Sequence, residues 1–152
     1  MSRKRSEFKH RNLPLLMLQA RERVISCFRP LLHANGLTEQ QWRVVRVLAD
    51  MGALEPRQIS ELCQLSSPSL AGVLARMEEV GLVSRRRLEH DQRRVLVSLT
   101  SRSRTLAARM APQIDAVYAK IEGDLGNEAS KHLYEVLDEV VVKLAPDQSD
   151  AE

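Results

Sequence analysis

The stretch that most restricts the fold is Asp91-Gln92-Arg93-Arg94-Val95-Leu96-Val97-Ser98-Leu99-Thr100, a charged turn that runs straight into an alternating apolar strand and stops on a residue suited to cap a helix. Just upstream, Leu82-Val83-Ser84-Arg85-Arg86-Arg87-Leu88 reads as a second short strand. The two form a hairpin whose tip, residues 89–94, projects from the body. Between Arg85 and Arg94 five arginines face Glu89 and Asp91, a local charge of +3 that equals the formal net charge of all 152 residues. A protruding cationic hairpin suits a polyanion such as DNA, because each Arg can replace counterions condensed on phosphate. An acid inside such a cluster weakens phosphate binding, so Asp91 is expected to hold Arg93 in one rotamer through a charge-assisted bond.

The rest of the chain reads as helix. With only 3% aromatic residues the sequence suits a mainly α fold better than an all-β sandwich, and its length suits one domain over residues 1–152. Residues 13–34 carry Leu15, Leu16, Met17, Leu18, Ala20, Val24, Ile25, Cys27, Phe28, Leu31 and Leu32 around the whole circumference. A helix apolar on all sides must be covered on several, and in so short a chain a second copy is the expected second wall. In Leu37-Thr38-Glu39-Gln40-Gln41-Trp42 the threonine caps a helix over residues 39–50, Gln41 completes a capping box, and Gly52 stops it. A short helix follows over residues 56–63, opened by Pro56. A third is expected to be capped by Ser67, opened by Pro68 and closed by Gly81. In that helix Leu70, Val73, Leu74, Met77 and Val80 form a buried stripe, which leaves Ser69, Ala71, Gly72, Ala75 and Arg76 outside. A small outer face with hydroxyl donors at its start can enter a major groove. Short helix, tight turn, second helix and basic hairpin, in that order, make a winged helix-turn-helix over residues 37–100.

Thr100 then caps a long helix over residues 101–123, with Leu106, Met110, Ile114, Val117, Ile121 and Leu125 inward and a kink expected at Pro112. Gly126-Asn127 breaks it before a last helix over residues 128–144 with Leu133, Val136, Leu137, Val140, Val141 and Leu144 at helical spacing. Residues 11–35 and 101–145 are the expected dimerisation helices, and residues 146–152 a disordered tail.

Charge is uneven. Residues 1–12 hold five Lys or Arg against Glu7, whereas residues 120–152 hold nine acids against three Lys. No run of about 18 apolar residues is present to span a membrane, and the basic start lacks the apolar stretch of a signal peptide, so a cytoplasmic protein is expected. Cys27 and Cys63 are not spaced as a metal or CxxC site, and His10, His33, His90 and His132 are scattered, so neither metal nor cofactor is expected. Buried free thiols are the default reading of both cysteines. No nucleophile stands with a base at usable spacing and no Gly-rich phosphate loop occurs, which argues against an enzyme.

The order of helices, the Leu37-Thr38-Glu39-Gln40-Gln41-Trp42 helix start, the Asp91-x-Arg93 hairpin and the closing Leu99-Thr100 together resemble the MarR family of bacterial transcription factors across nearly the whole chain. Leu18-Gln19-Ala20-Arg21-Glu22, Phe28-Arg29-Pro30 and Gln40-Gln41-Trp42-Arg43 are similar to its branch of homoprotocatechuate-operon and nicotinate-degradation repressors. The resemblance implies a homodimer knit by the first and last helices, with two recognition helices in successive major grooves of a palindromic double-stranded DNA operator and each wing in a flanking minor groove. On that reading Arg93 reads the minor groove, where a narrow A·T-rich tract attracts Arg. Arg85, Arg86, Arg87 and Arg94 go to phosphate, Arg76, Ser66, Ser67 and Ser69 go to base edges or nearby phosphates, and Arg57 joins the DNA-binding set.

The same resemblance implies release by a small aromatic acid bound between the dimerisation helices and the DNA-binding lobe. Arg21, in the middle of the apolar first helix, needs an anion partner. That partner is either an effector carboxylate or an acid of the protein, such as Glu22 of another copy, Asp50 or Asp115. Met17, Phe28 and Trp42 are candidate walls of the pocket, Arg43 and Arg46 further cations, and His10 a more distant candidate. Trp42 has an alternative as core, and Arg43, Arg46 and His10 as solvated residues. Two other readings stay open: a peroxide sensor of the same fold acting through Cys27, against which a structural thiol stands, and a helical adaptor dimer that acts through protein contacts alone.

Overall fold

The computed structural model describes residues 7–147. Among these residues the elements run α1 (Leu13–Ala34), α2 (Glu39–Met51), α3 (Pro56–Cys63), α4 (Ser67–Glu79), β1 (Val83–Leu88), β2 (Asp91–Leu99), α5 (Ser101–Leu125) and α6 (Asn127–Lys143). The chain divides into two compact units, one reaching as far as Ile114 and one from Asp115 onward.

Local chemistry sets the boundaries in the first unit. Thr38 Oγ1 accepts the Gln41 N–H at 3.1 Å and Gln41 Oε1 accepts the Thr38 N–H at 3.1 Å, so two otherwise unbonded donors of α2 are satisfied reciprocally. Gly52, at φ +81°, ends that helix in a backbone conformation that costs a side-chain-bearing residue strain. The cap of α4 falls one residue earlier than the sequence suggests. Ser66 is extended, its Oγ accepts the Ser69 N–H at 3.3 Å, and Pro68 becomes the second helical residue, a position whose N–H has no intrahelical partner in any case. At the other end of α4 the Leu82 N–H bonds to Met77 O at 2.8 Å and the Gly81 N–H to Glu78 O at 3.1 Å, a Schellman closure that needs the positive φ of Gly81.

The hairpin pairs in register from Val83↔Leu99 to Arg87↔Val95, then shifts so that Leu88 faces Asp91. Its turn is therefore Glu89 and His90 alone, and Arg93 and Arg94, expected in the tip, belong to β2. Gln92, Arg93 and Arg94 are strand in conformation, but the register gives them no partner across the hairpin. Leu54 adds a single bridge to the hairpin: its N–H and C=O bond to Val97 at 3.0 and 2.8 Å. Thr100 closes the lobe, its Oγ1 accepting the Ser103 N–H at 3.2 Å to start α5 and donating to Gly81 O at 2.6 Å.

These elements share one core. Phe28 and Leu32 of α1, Val44, Val45 and Leu48 of α2, Ile59 and Cys63 of α3, the α4 stripe Leu70, Val73, Leu74 and Met77, Val83, Val97 and Leu99 of the hairpin, and Met110 and Ile114 of α5 are all buried. Val80, expected in the α4 stripe, is exposed because α4 has already ended at Glu79. The upstream half of α1 differs: Leu13, Leu15, Met17, Leu18 and Val24 are exposed in the single chain.

In the second unit Gly126, at φ +88°, separates the two last helices, and α5 continues past Gly123 to Leu125. The α6 stripe keeps its helical spacing, yet Leu133, Val136, Leu137, Val141 and Leu144 are exposed. Among the described residues no helix is long and apolar enough to cross a membrane. Of the basic arm and acidic tail read from the sequence, residues 1–6 and 148–152 lie outside the described residues.

Candidate functional site

The wing arginines have unlike surroundings. Arg85 Nε of β1 pairs with Glu78 Oε2 of α4 at 2.8 Å. Arg94 of β2 donates from Nε and Nη2 to Glu55 at the start of α3. Arg87 Nη1 donates to Gln92 O at 2.6 Å, and Gln92 Nε2 donates to Leu88 O at 3.1 Å, so the tip is cross-linked to itself. Arg57 lies at 3.4 Å from Glu61, one helical turn on. The guanidinium groups of Arg76, Arg86 and Arg93 have no partner among the described residues.

Asp91 does not grip the Arg93 side chain as expected. Its Oδ1 accepts the Arg93 backbone N–H at 3.1 Å. The carboxylate is two residues away, the spacing at which an Asp side chain closes a turn on the main chain, and this leaves the guanidinium exposed. At the start of α4, Ser66 Oγ donates to Ser69 Oγ at 2.9 Å besides capping, whereas the Ser67 hydroxyl is exposed with no partner among the described residues. Gly72, midway along α4, has a half-open environment in which a Cβ would meet only Arg76 Nη2 at 3.8 Å.

On α1 and α2 a second cluster forms around Glu39, a residue absent from the sequence-based candidates. Arg21 donates to Glu39 Oε1, Arg43 Nη2 reaches the same oxygen at 2.9 Å, and Arg29 Nη2 stands 3.7 Å from Oε2. Arg29 also holds Glu22. Burial pushes the Glu39 carboxyl up, but the hydrogen bonds from Arg21 and Arg43 outweigh it and leave the group below the ordinary carboxylate range. Arg43 Nη1 additionally donates to Cys63 O at 2.7 Å, so it is not the solvated residue considered from sequence. The partner of Arg21 is thus an acid of its own chain. The i, i+4 spacing of Glu39 and Arg43 was the one available sequence signal for this hub.

The other candidates disperse. Phe28 is buried, Trp42 half-buried rather than core, and Met17 exposed. Arg46 pairs with Asp50 at 3.0 Å, one helical turn on. His10 is exposed and precedes α1, which begins at Leu13 because Asn12 Oδ1 accepts the Leu15 N–H at 3.1 Å, so it does not share a continuous helix with Arg21. Cys27 is exposed, contrary to the buried thiol expected, since α1 turns Phe28 rather than Cys27 toward the core; its Sγ donates to Arg23 O at 3.4 Å. Cys63 is buried as expected, and burial raises its thiol pKa. No group of three or more His, Cys, Asp or Glu placed to hold a metal occurs among the described residues.

This geometry meets three comparisons with known proteins. The MarR family profile matches residues 35–94, from the residue after α1 into β2. The homoprotocatechuate degradative operon repressor of Escherichia coli is 39% identical over 132 residues, 87% of this chain and 89% of its own length. The crystal structure of the transcriptional regulator PA4135 superposes with a TM-score of 0.86 at 41% identity, over 90% of this chain and 100% of that one. The crystal structure of NadR in complex with 4-hydroxyphenylacetate does so with a TM-score of 0.78 at 36% identity, over 90% and 97%. A relative of this identity over most of both chains, a winged helix-turn-helix, and a profile match across that lobe give one conclusion: the chain belongs to the MarR family of transcriptional regulators.

Proposed function

We propose that this regulator is a DNA-binding repressor, acting as a homodimer on a palindromic operator. The carrying observation is the pairing of a recognition helix, α4, whose outer face is small, with a hairpin that keeps Arg86 and Arg93 exposed and unpaired among the described residues. Arg93 enters the minor groove beside the α4 major groove, and Arg76 and Ser67 reach base edges or neighbouring phosphates. A second copy covers the apolar residues left exposed on the upstream half of α1 and on α6.

The proposed effector is a small aromatic carboxylate of the 4-hydroxyphenylacetate class, by likeness to NadR. Its acid group competes with Glu39 for Arg21 and Arg43, and Trp42, Met17 and Phe28 supply the apolar wall. If the occupied dimer spaces its recognition helices wrongly for one face of the duplex, the effector releases DNA, by no more than its preference for that state.

Fluorescence anisotropy with the protein's own upstream intergenic DNA at two salt concentrations tests the reading, with 4-hydroxyphenylacetate and 6-hydroxynicotinate as probes. Tight, salt-sensitive binding lost on adding one of the acids is expected. Binding indifferent to both acids would remove the effector class, and no specific binding would remove the repressor.

A further inference from the structure

Glu55 and Arg94 are 39 residues apart, and their ion pair joins the start of α3 to β2 at the point where the hairpin ladder loses its regular register. Below that point the strands pair residue for residue up to Arg87↔Val95; above it the register shifts, and such an irregularity lets a strand bend. The tip beyond is braced internally by the Asp91 carboxylate on the Arg93 N–H and by Gln92 on Leu88 O, while Arg87, on the ladder side, donates across the irregularity to Gln92 O. Besides the covalent chain, two side chains carry bonds from the tip region to the rest of the lobe, Arg87 to Gln92 O and Arg94 to Glu55, so the angle of the tip depends on them. Glu55 is itself fixed, since its neighbour Leu54 bonds to Val97 through both backbone groups and its own N–H donates to Gln58 Oε1 at 2.9 Å.

We propose that the Glu55–Arg94 pair is a latch that fixes the angle of the wing tip, and that Arg94 is a positioning residue and not a phosphate contact. On the DNA-binding reading, which this inference extends, Arg93 reads the groove while its neighbour in sequence holds it at the correct angle. Two donors of Arg94 converge on Glu55, which is half-buried, so a phosphate would have to displace a carboxylate already seated, whereas Arg86 and Arg93 offer guanidinium groups without a partner among the described residues to the same polyanion. The pair is partly exposed, so its loss should change affinity severalfold rather than abolish binding.

The experiment compares Glu55→Gln, Arg94→Gln and the double variant with the wild-type chain, each checked by circular dichroism for unchanged helix content. The first readout needs no DNA: amide hydrogen exchange over residues 89–95. A latch predicts faster exchange there in both single variants and little further gain in the double one; unchanged exchange overturns it. The second readout is operator affinity against salt. A latch predicts that Glu55→Gln weakens operator binding roughly threefold and that Arg94→Gln leaves the slope of log affinity against log salt unchanged. A phosphate contact predicts the reverse, with Glu55→Gln binding tighter through removal of a negative charge and Arg94→Gln lowering the slope by about one per arginine lost. Should the wild-type chain bind no upstream DNA, the repressor reading fails while hydrogen exchange still decides the latch.

Discussion

Arg93 and Arg94 adjoin in sequence and carry the same charge, but one is exposed without a side-chain partner among the described residues and the other is held by Glu55. Arg93→Ala should therefore leave thermal stability within about 0.5 kcal/mol of wild type, as surface changes away from structural bonds do, while operator affinity falls and its salt slope becomes shallower; paired melts and anisotropy titrations check both. Glu39 gives a residue-scale prediction of another kind. Its carboxyl lies below the ordinary range because the Arg21 and Arg43 hydrogen bonds exceed the opposing effect of burial. A lowered folded value means that the stabilisation is complete above the ordinary value of 4.5 and is lost as pH falls through the lower folded value. Melting temperature followed from pH 6 to pH 3 should drop on that limb, and Glu39→Gln should flatten the drop. The arginine at 43 was legible as a partner for Glu39 from helical spacing, but the one at 21 was not, because 18 residues and a change of helix separate it from the carboxylate.

Among the elements, α4 has an outer face of small residues that the protein's own packing does not explain. Gly72 lies within the helix, and a methyl there would make only an ordinary contact with the mobile end of Arg76. Gly72→Ala should raise stability by about 0.5–1 kcal/mol, because alanine loses less backbone entropy on forming a helix. If α4 enters a groove, the same methyl should weaken operator binding, so melting temperature and affinity would move in opposite directions; equal affinity would show that DNA does not approach the helix there. Helix starts were readable where a single capping residue stands three residues before its recipient, as with Thr38 and Gln41 or Thr100 and Ser103. Ser66 and Ser67 were separated wrongly because both satisfy that local rule, and the choice rests on which residue takes the extended conformation. The extent of the hairpin was misjudged for a related reason: β2 continues through Arg93 and Arg94, whose exposed side chains carry no alternation signal. Burial in the long helices was less legible still, since an apolar stripe states that a face needs covering and not what covers it.

At the scale of the whole molecule, that uncovered face asks for a partner surface. On the two-copy reading, Val141→Glu, at a position 74% exposed in the single chain, would place a charge in an apolar interface and should raise the dimer dissociation constant by about tenfold or more. Sedimentation velocity over a dilution series would show it, with circular dichroism confirming that the helices persist; unchanged association would remove α6 from the interface. The exposed leucines and valines of α6 also bear on how much of the regulator a cell can keep. A lone chain would present them to proteases and to other unfolded chains, whereas a paired one would hide them, so survival would rise with abundance. Each newly made chain would then persist only where another is already present, and the level of the regulator would have a threshold below which it clears itself.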